Sequence, residues 1–212
     1  MFVPEPFKED RLPVLHDAIL AAHLATLVTS GDAGIAASHI PVLLDAEAGR
    51  YGTLIGHVSR ANSQWQTASP DNPALAIFTG PDAYISPSWY PSKTETGKVV
   101  PTWNYVAVHA YGKLDWFDGA DALRDVVTRL TVRHEAGRQA PWAVSDAPEE
   151  FVAAMLKGIV GFRLPIDRIE GKWKMSQNRN AVDRAGTVDG LRREGTTDAA
   201  AVADLVPTTP EG

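Results

Sequence analysis

The order in which strand-forming and helix-forming segments follow one another is what most constrains this chain. Residues 24–30 are apolar and β-branched, Gly31-Asp32-Ala33-Gly34 reads as a turn, and residues 35–45 resume strand character, which predicts a hairpin. A third strand over residues 53–59 follows the turn-forming Glu47-Ala48-Gly49-Arg50. Residues 74–79 and 83–86 add β signal around Gly80-Pro81, residues 103–116 alternate as one long strand, and residues 159–169 return to strand character. Helical periodicity is confined to residues 11–22 behind a capping Asp10, a short stretch at 60–69, and residues 120–135 and 148–157. Strands that come in runs, closed by helices rather than alternating with them, predict a mainly β, α+β fold: an antiparallel sheet or small barrel with peripheral helices.

With 212 residues the chain can bury a core as one domain, expected over residues 1–194. From Gly195 onward Thr, Ala, Asp and Pro dominate without a large aromatic, so residues 195–212 read as a flexible tail. The absence of cysteine excludes a disulfide framework and a thiolate zinc site, and no metal site is expected. The first ten residues lack a basic segment followed by an apolar run, and no stretch of about 18 apolar residues occurs, so a cytoplasmic protein without a membrane span is expected. A net charge of −6 lacks the basic signature of a nucleic-acid binder.

Five stretches set polar groups beside aromatic ones at the ends of strands: Ala37–Pro41, Gly56–Asn62, Ser86–Lys93, Val100–Tyr105 and Glu170–Asn178. Such a density of polar groups is costly in a chain that only has to fold, and it suggests a binding site. Singly, each residue has a plainer reading. His39, His57 and His109 read as hydrogen-bonded structural histidines, and Trp65, Trp103, Trp116 and Trp142 as core or interface anchors. The run from His57 to Asn62 brings a hydroxyl, a guanidinium and an amide to the start of a helix, as a phosphate cradle does; a helix cap with a surface arginine is the equal alternative. The loop over residues 91–101 is long enough to suggest a functional role.

The runs GHVSRANSQW, FTGPDAYISPSWYPSK, GKVVPTWNYVAVHAYG and IVGFRLPIDRIEGKWKMSQN, with MFVPEPFKED and ATLVTS before them, resemble the PaiB family of FMN-binding negative transcriptional regulators over residues 1–191. The resemblance implies an FMN-binding split β-barrel, related to pyridoxamine-phosphate oxidases and flavin reductases, that forms a homodimer with FMN near the subunit interface. It assigns His57, Ser59, Arg60 and Asn62 to the flavin phosphate, with Ser38 and His39 as neighbours. Lys93, Thr102, Trp103 and Asn104 fall near the ring or ribityl chain, and Lys174 and Gln177 are the C-terminal cofactor candidates.

Two functions follow from that resemblance: a flavin-linked transcriptional regulator or sensor, and an FMN-dependent oxidoreductase acting on a small molecule. A haem-handling protein is a third reading. Against direct DNA contact stand the acidic balance and the lack of a helix-turn-helix pair; for it stands only the basic stretch at residues 157–193.

Overall fold

The computed structural model describes residues 1–208. After a single 3-10 turn at Glu5–Phe7 the elements are β1 (Lys8–Glu9), α1 (Leu12–Ala21), β2 (Ala25–Gly31), β3 (Gly34–Ile40), β4 (Val42–Asp45), β5 (Thr53–Ser59) and α2 (Gln64–Thr67). They continue with β6 (Ala74–Ile85), α3 (Ser92–Thr96), β7 (Thr102–Gly112), β8 (Asp115–Phe117), α4 (Ala120–Glu135) and α5 (Glu149–Leu156). The chain then forms β9 (Ile159–Pro165), β10 (Arg168–Lys174), α6 (Ala181–Glu194) and α7 (Thr197–Leu205). Its internal contacts gather into two compact units. The first comprises Met1–Leu15, Thr79–Val108 and the chain from Glu170 onward; the second comprises His16–Phe78 and His109–Ile169.

In the second unit the expected strand over residues 35–45 is two strands. Pro41 has no N–H to give a ladder, and the chain turns there: β3 pairs antiparallel with β2, while β4 pairs with β5 in a separate sheet of order β4-β5-β9-β8. Close approach fixes glycine in β5 and β9, since a Cβ at Gly56 would lie 2.8 Å from the Phe162 ring and one at Gly161 2.4 Å from that of Phe117. One side of this sheet is covered by helices. Leu43 and Ile55 pack with Val126 and Leu130 of α4, and Leu123 packs with Val152 and Leu156 of α5. The helical spacing of Leu123, Val126 and Leu130 turns one stripe of α4 to the sheet. At the last turn of α4, Arg133 donates to the carbonyls of Val42 at 3.0 Å and Leu20 at 2.5 Å.

Several expected elements have different bounds. The helix expected over residues 60–69 shrinks to the one turn of α2, because Asn62 Oδ1 accepts from the Gln64 N–H at 2.9 Å and the Gln64 side chain is drawn to the Leu27 carbonyl and Thr29 hydroxyl, both at 3.1 Å. Residues 74–85 form one strand despite Pro81. The long strand expected over 103–116 ends at Gly112, where a Cβ would lie 2.0 Å from the Pro165 carbonyl, and β8 starts afresh at Asp115. The stretch 159–169 divides at Ile166 and Asp167, whose N–H groups bond Gly52 and Tyr111 rather than a ladder partner.

In the first unit the strand order is β1-β10-β7-β6, with Lys8 opposite Lys172 and Glu9 opposite Gly171. The loop expected at 91–101 contains the short α3, closed by Gly97 in the left-handed conformation that glycine adopts without strain. Helix α6 is capped by Asn180, whose side chain accepts from the Asp183 N–H at 2.8 Å, and it buries Asp183, Thr187, Gly190 and Leu191. The glycine of that face admits the Trp89 ring, 2.2 Å from where a Cβ would stand. The segment read as a flexible tail forms α7 instead. Thr196 caps it, and Ala199, Val202 and Ala203 are buried, so small apolar residues at helical spacing suffice without an aromatic. Residues 209–212 of that tail lie outside the described residues.

Candidate functional site

The twelve candidate residues divide evenly between the units. Ser38, His39, His57, Ser59, Arg60 and Asn62 belong to the second, and Lys93, Thr102, Trp103, Asn104, Lys174 and Gln177 to the first.

In the second unit, Asn62 Nδ2 donates to Ser38 Oγ at 2.8 Å, joining the turn after β5 to β3. His39 Nδ1 lies 2.9 Å from the Thr26 hydroxyl on the exposed face of the β2–β3 hairpin. Ser59, at the exposed end of β5, accepts the Ala61 N–H at 3.3 Å. Arg60 is committed to its own chain: Nε donates to the Lys157 carbonyl at 2.9 Å, Nη2 to the Ile159 carbonyl at 3.1 Å, and Nη2 stands 3.6 Å from Asp118. With α2 only four residues long, this junction holds no helix end of consequence for a phosphate.

His57 departs from this group. Ile55, His57 and Ser59 alternate onto one side of β5, the side on which Ile55 meets α4, so the imidazole turns toward the helices. No side chain or backbone group bonds its Nδ1, and burial pushes its pKa below the ordinary histidine value.

The first unit gathers a charge and an aromatic surface. Lys174, the last residue of β10, donates to the Thr102 hydroxyl and, at 2.6 Å, to the Trp103 carbonyl. Burial lowers its pKa first, and the like charges of Lys172 and Arg179 lower it further; no carboxylate acts in the opposite sense. Trp103 is 53% exposed and meets Tyr84 edge to face at 5.8 Å. Behind it Asn104 is fully buried and exchanges two hydrogen bonds with Ser176, 3.0 Å from Nδ2 to Oγ and 3.2 Å from Oγ to Oδ1. Ser176 has φ of 61°, a left-handed conformation costly for serine, and the Asn104 contacts help hold it. Gln177 closes the same turn, accepting from the Met175 N–H at 2.7 Å and donating to the Trp173 carbonyl at 2.6 Å. Lys93 is exposed on α3, with Nζ 3.5 Å from Ser88 Oγ.

Sequence reasoning missed Ser176, whose role depends on its φ, and Tyr84, the partner of Trp103. It also missed Asp183, which accepts from the Ser92 N–H at 3.1 Å and hydroxyl at 2.7 Å and so ties α3 to α6. A serine opening the loop and an acid three residues beyond Asn180 were the available signals.

The antiparallel sheets with their peripheral helices give the chain the fold of the split β-barrel proteins. Among solved structures, the FAD and Heme binding protein from Mycobacterium smegmatis superposes with a TM-score of 0.54 at 22% identity, over 78% of this chain and 71% of that one. The Flavocytochrome Anf3 from Azotobacter vinelandii gives a TM-score of 0.55 at 11% identity, over 79% of this chain and 69% of its own. The chain belongs to the family described as "Putative FMN-binding domain", whose model matches residues 1–168. It is 32% identical over 206 residues to Protease synthase and sporulation protein PAI 2 of Bacillus subtilis (strain 168), covering 97% of this chain and 96% of that protein, which is the PaiB family its motifs resemble.

Proposed function

We propose that this chain is an FMN-binding protein that works as a homodimer and serves as a flavin-linked sensor or regulator. The observation that carries the flavin reading is Lys174, a partly desolvated ammonium without a carboxylate, oriented by Thr102 and the Trp103 carbonyl beside the exposed Trp103 ring. A planar aromatic ligand with negative charge satisfies both groups. FMN, when bound, supplies hydride and one-electron chemistry. Each unit offers groups of its own that would suit it: in the first, Lys93 and Lys174 supply charge, and in the second, Ser38, Ser59 and Asn62 supply hydroxyl and amide donors of the kind a phosphate takes. In this reading Arg60 braces the end of β5 with two of its nitrogens rather than giving its whole guanidinium to phosphate.

The basic stretch at 157–193 is largely engaged within the protein. Lys172 donates to the Phe2 carbonyl, Arg192 pairs with Asp204, Arg193 bonds the Asp189 carbonyl and Arg163 lies 3.9 Å from Asp115. This supports regulation through the flavin site rather than by reading a DNA groove.

Titration with FMN and riboflavin tests the reading. FMN is expected to bind more tightly, and Lys174→Met to weaken FMN by about tenfold, as loss of one charge-assisted contact does. Equal affinity for both flavins with a silent Lys174→Met would overturn it. Bleaching of the bound flavin by NADH or NADPH without oxygen would transfer the assignment to an oxidoreductase.

A further inference from the structure

A pocket wholly within the second unit lies on the helical side of β5 and β9. It holds about 270 Å³, between His57 and Ile159 on the sheet, Val127 on α4, Phe151 and Met155 on α5, and Trp142 in the loop that joins the two helices. We propose that it binds a small neutral aromatic molecule carrying one hydroxyl or ring N–H, which meets the open edge of the His57 imidazole.

Four observations lead there. The walls are apolar, and three large side chains remain out of the core at the mouth: Trp142 is 48% exposed, and Phe151 and Met155 are each 55% exposed. A protein gains nothing by leaving an indole, a phenyl ring and a thioether in water together, and all three are side chains that grip aromatic ligands. Next, His57 brings a polar ring into this apolar space; among the described residues nothing bonds Nδ1, which is itself shut off from solvent, so a ligand meets the partly exposed ring at its open edge. Burial holds the imidazole below the ordinary histidine pKa, so the ring a ligand meets is the neutral one, with one donor and one acceptor nitrogen.

The lining also contains no charged side chain; besides His57 its polar groups are the Thr131 hydroxyl and the Trp142 indole N–H. A carboxylate or phosphate would find no countercharge, which separates this pocket from the Lys174 region and restricts the ligand to neutral molecules. Size sets the last limit. A cavity of about 150 Å³ holds benzene and drug-sized sites begin near 300 Å³, so 270 Å³ suits one or two fused rings. The ladder partner of His57 is Gly161, and the Phe117 ring takes the space of its missing Cβ.

The proposal is independent of the flavin reading. Its test is titration of the full chain with indole and with phenol, followed by amide and methyl NMR shifts. Saturable binding of either probe is expected, with shifts at Val127, Met155 and Ile159. Indole-3-acetate and benzoate should bind at least tenfold more weakly. His57→Phe keeps the ring and removes its nitrogens, and should weaken phenol about five- to tenfold. Ala147→Phe, which fills the pocket from its loop wall, should abolish binding while a melting curve reports intact folding. The same isotherms are expected whether or not FMN is present.

Failure of both probes to saturate at millimolar concentration would overturn the proposal, as would affinity unchanged in both variants. Displacement of phenol by FMN would return the pocket to the flavin site and overturn it as well. Shifts at Trp142 and Met155 that follow protein concentration instead of probe would make a second copy of the chain the occupant. A Soret band formed with haem and lost in His57→Phe would likewise replace the aromatic ligand with an iron porphyrin.

Discussion

Two side chains of the first unit show how a single residue can set local structure. Asn104 sits fully buried in β7, and its amide both gives to and accepts from Ser176, whose backbone is left-handed. Asn104→Ala removes both bonds and leaves a buried hydroxyl unpaired, so we expect about 1–3 kcal/mol of lost stability in urea unfolding. Lys174 makes a pH statement. Burial and the charges of Lys172 and Arg179 hold its folded pKa below 10.5, so the unfolded chain binds more protons in the window between the two values. The sign follows: this group costs stability when protonated, and the cost fades as pH rises through that window. An anionic ligand reverses the shift. FMN binding at a pH between the folded and unfolded values should therefore take up protons, seen as calorimetric heats that depend on the buffer's ionisation enthalpy, and Lys174→Met should remove the dependence. Asn104 and Lys174 stood out in sequence because they lie in dense motifs. Ser176 did not, since serine carries no mark of a left-handed φ.

Helix α6 shows what an element can hide. Its buried face is Asp183, Thr187, Gly190 and Leu191, a helical spacing made mostly of polar and small residues, so a search for apolar periodicity finds nothing there. The polar members earn burial by bonding: Asp183 takes the N–H and hydroxyl of Ser92, and Thr187 donates to the Asp183 carbonyl at 2.9 Å. Asp183→Ala should free α3 from α6, which hydrogen exchange would report as faster exchange over residues 92–97 with β5 and β9 unchanged. Helix α4 was legible for the opposite reason, because Leu123, Val126 and Leu130 supply an apolar stripe. The hairpin of β2 and β3 was legible too, from its Gly-Asp-Ala-Gly turn. The change of sheet at Pro41 was not, because the apolar pattern runs through the proline and only pairing reveals the corner.

For the whole molecule, the proposed dimer has a face to form on. The outward side of β2 and β3 sets Val28 opposite Ala37 and Ser30 opposite Ile35, and Ile35 is 81% exposed. A two-fold interface would bury this strip against its own copy. Sedimentation at micromolar concentration should give twice the chain mass, and Ile35→Glu with Ala37→Glu should return it to a monomer with an unchanged circular dichroism spectrum. A wild-type monomer that retains FMN would end the dimer proposal. The general fold class was legible at this scale because strands in runs exclude a doubly wound sheet. The division into two units was not, because each draws on distant segments of chain and no change of composition marks where they part.

That interleaving also sets an order of events during synthesis. Lys8 and Glu9 leave the ribosome well before their ladder partners, Lys172 and Gly171, which come about 160 residues later. At roughly 5–20 residues per second, the first strand waits on the order of 10 s for its mate. The second unit can close once Ile169 has emerged, whereas the first cannot assemble until its last helices have been made. Nascent chains of this protein therefore carry a folded middle between two unfinished ends, and the unpaired N-terminal segment is the part that a cell must keep from other partners in the interval.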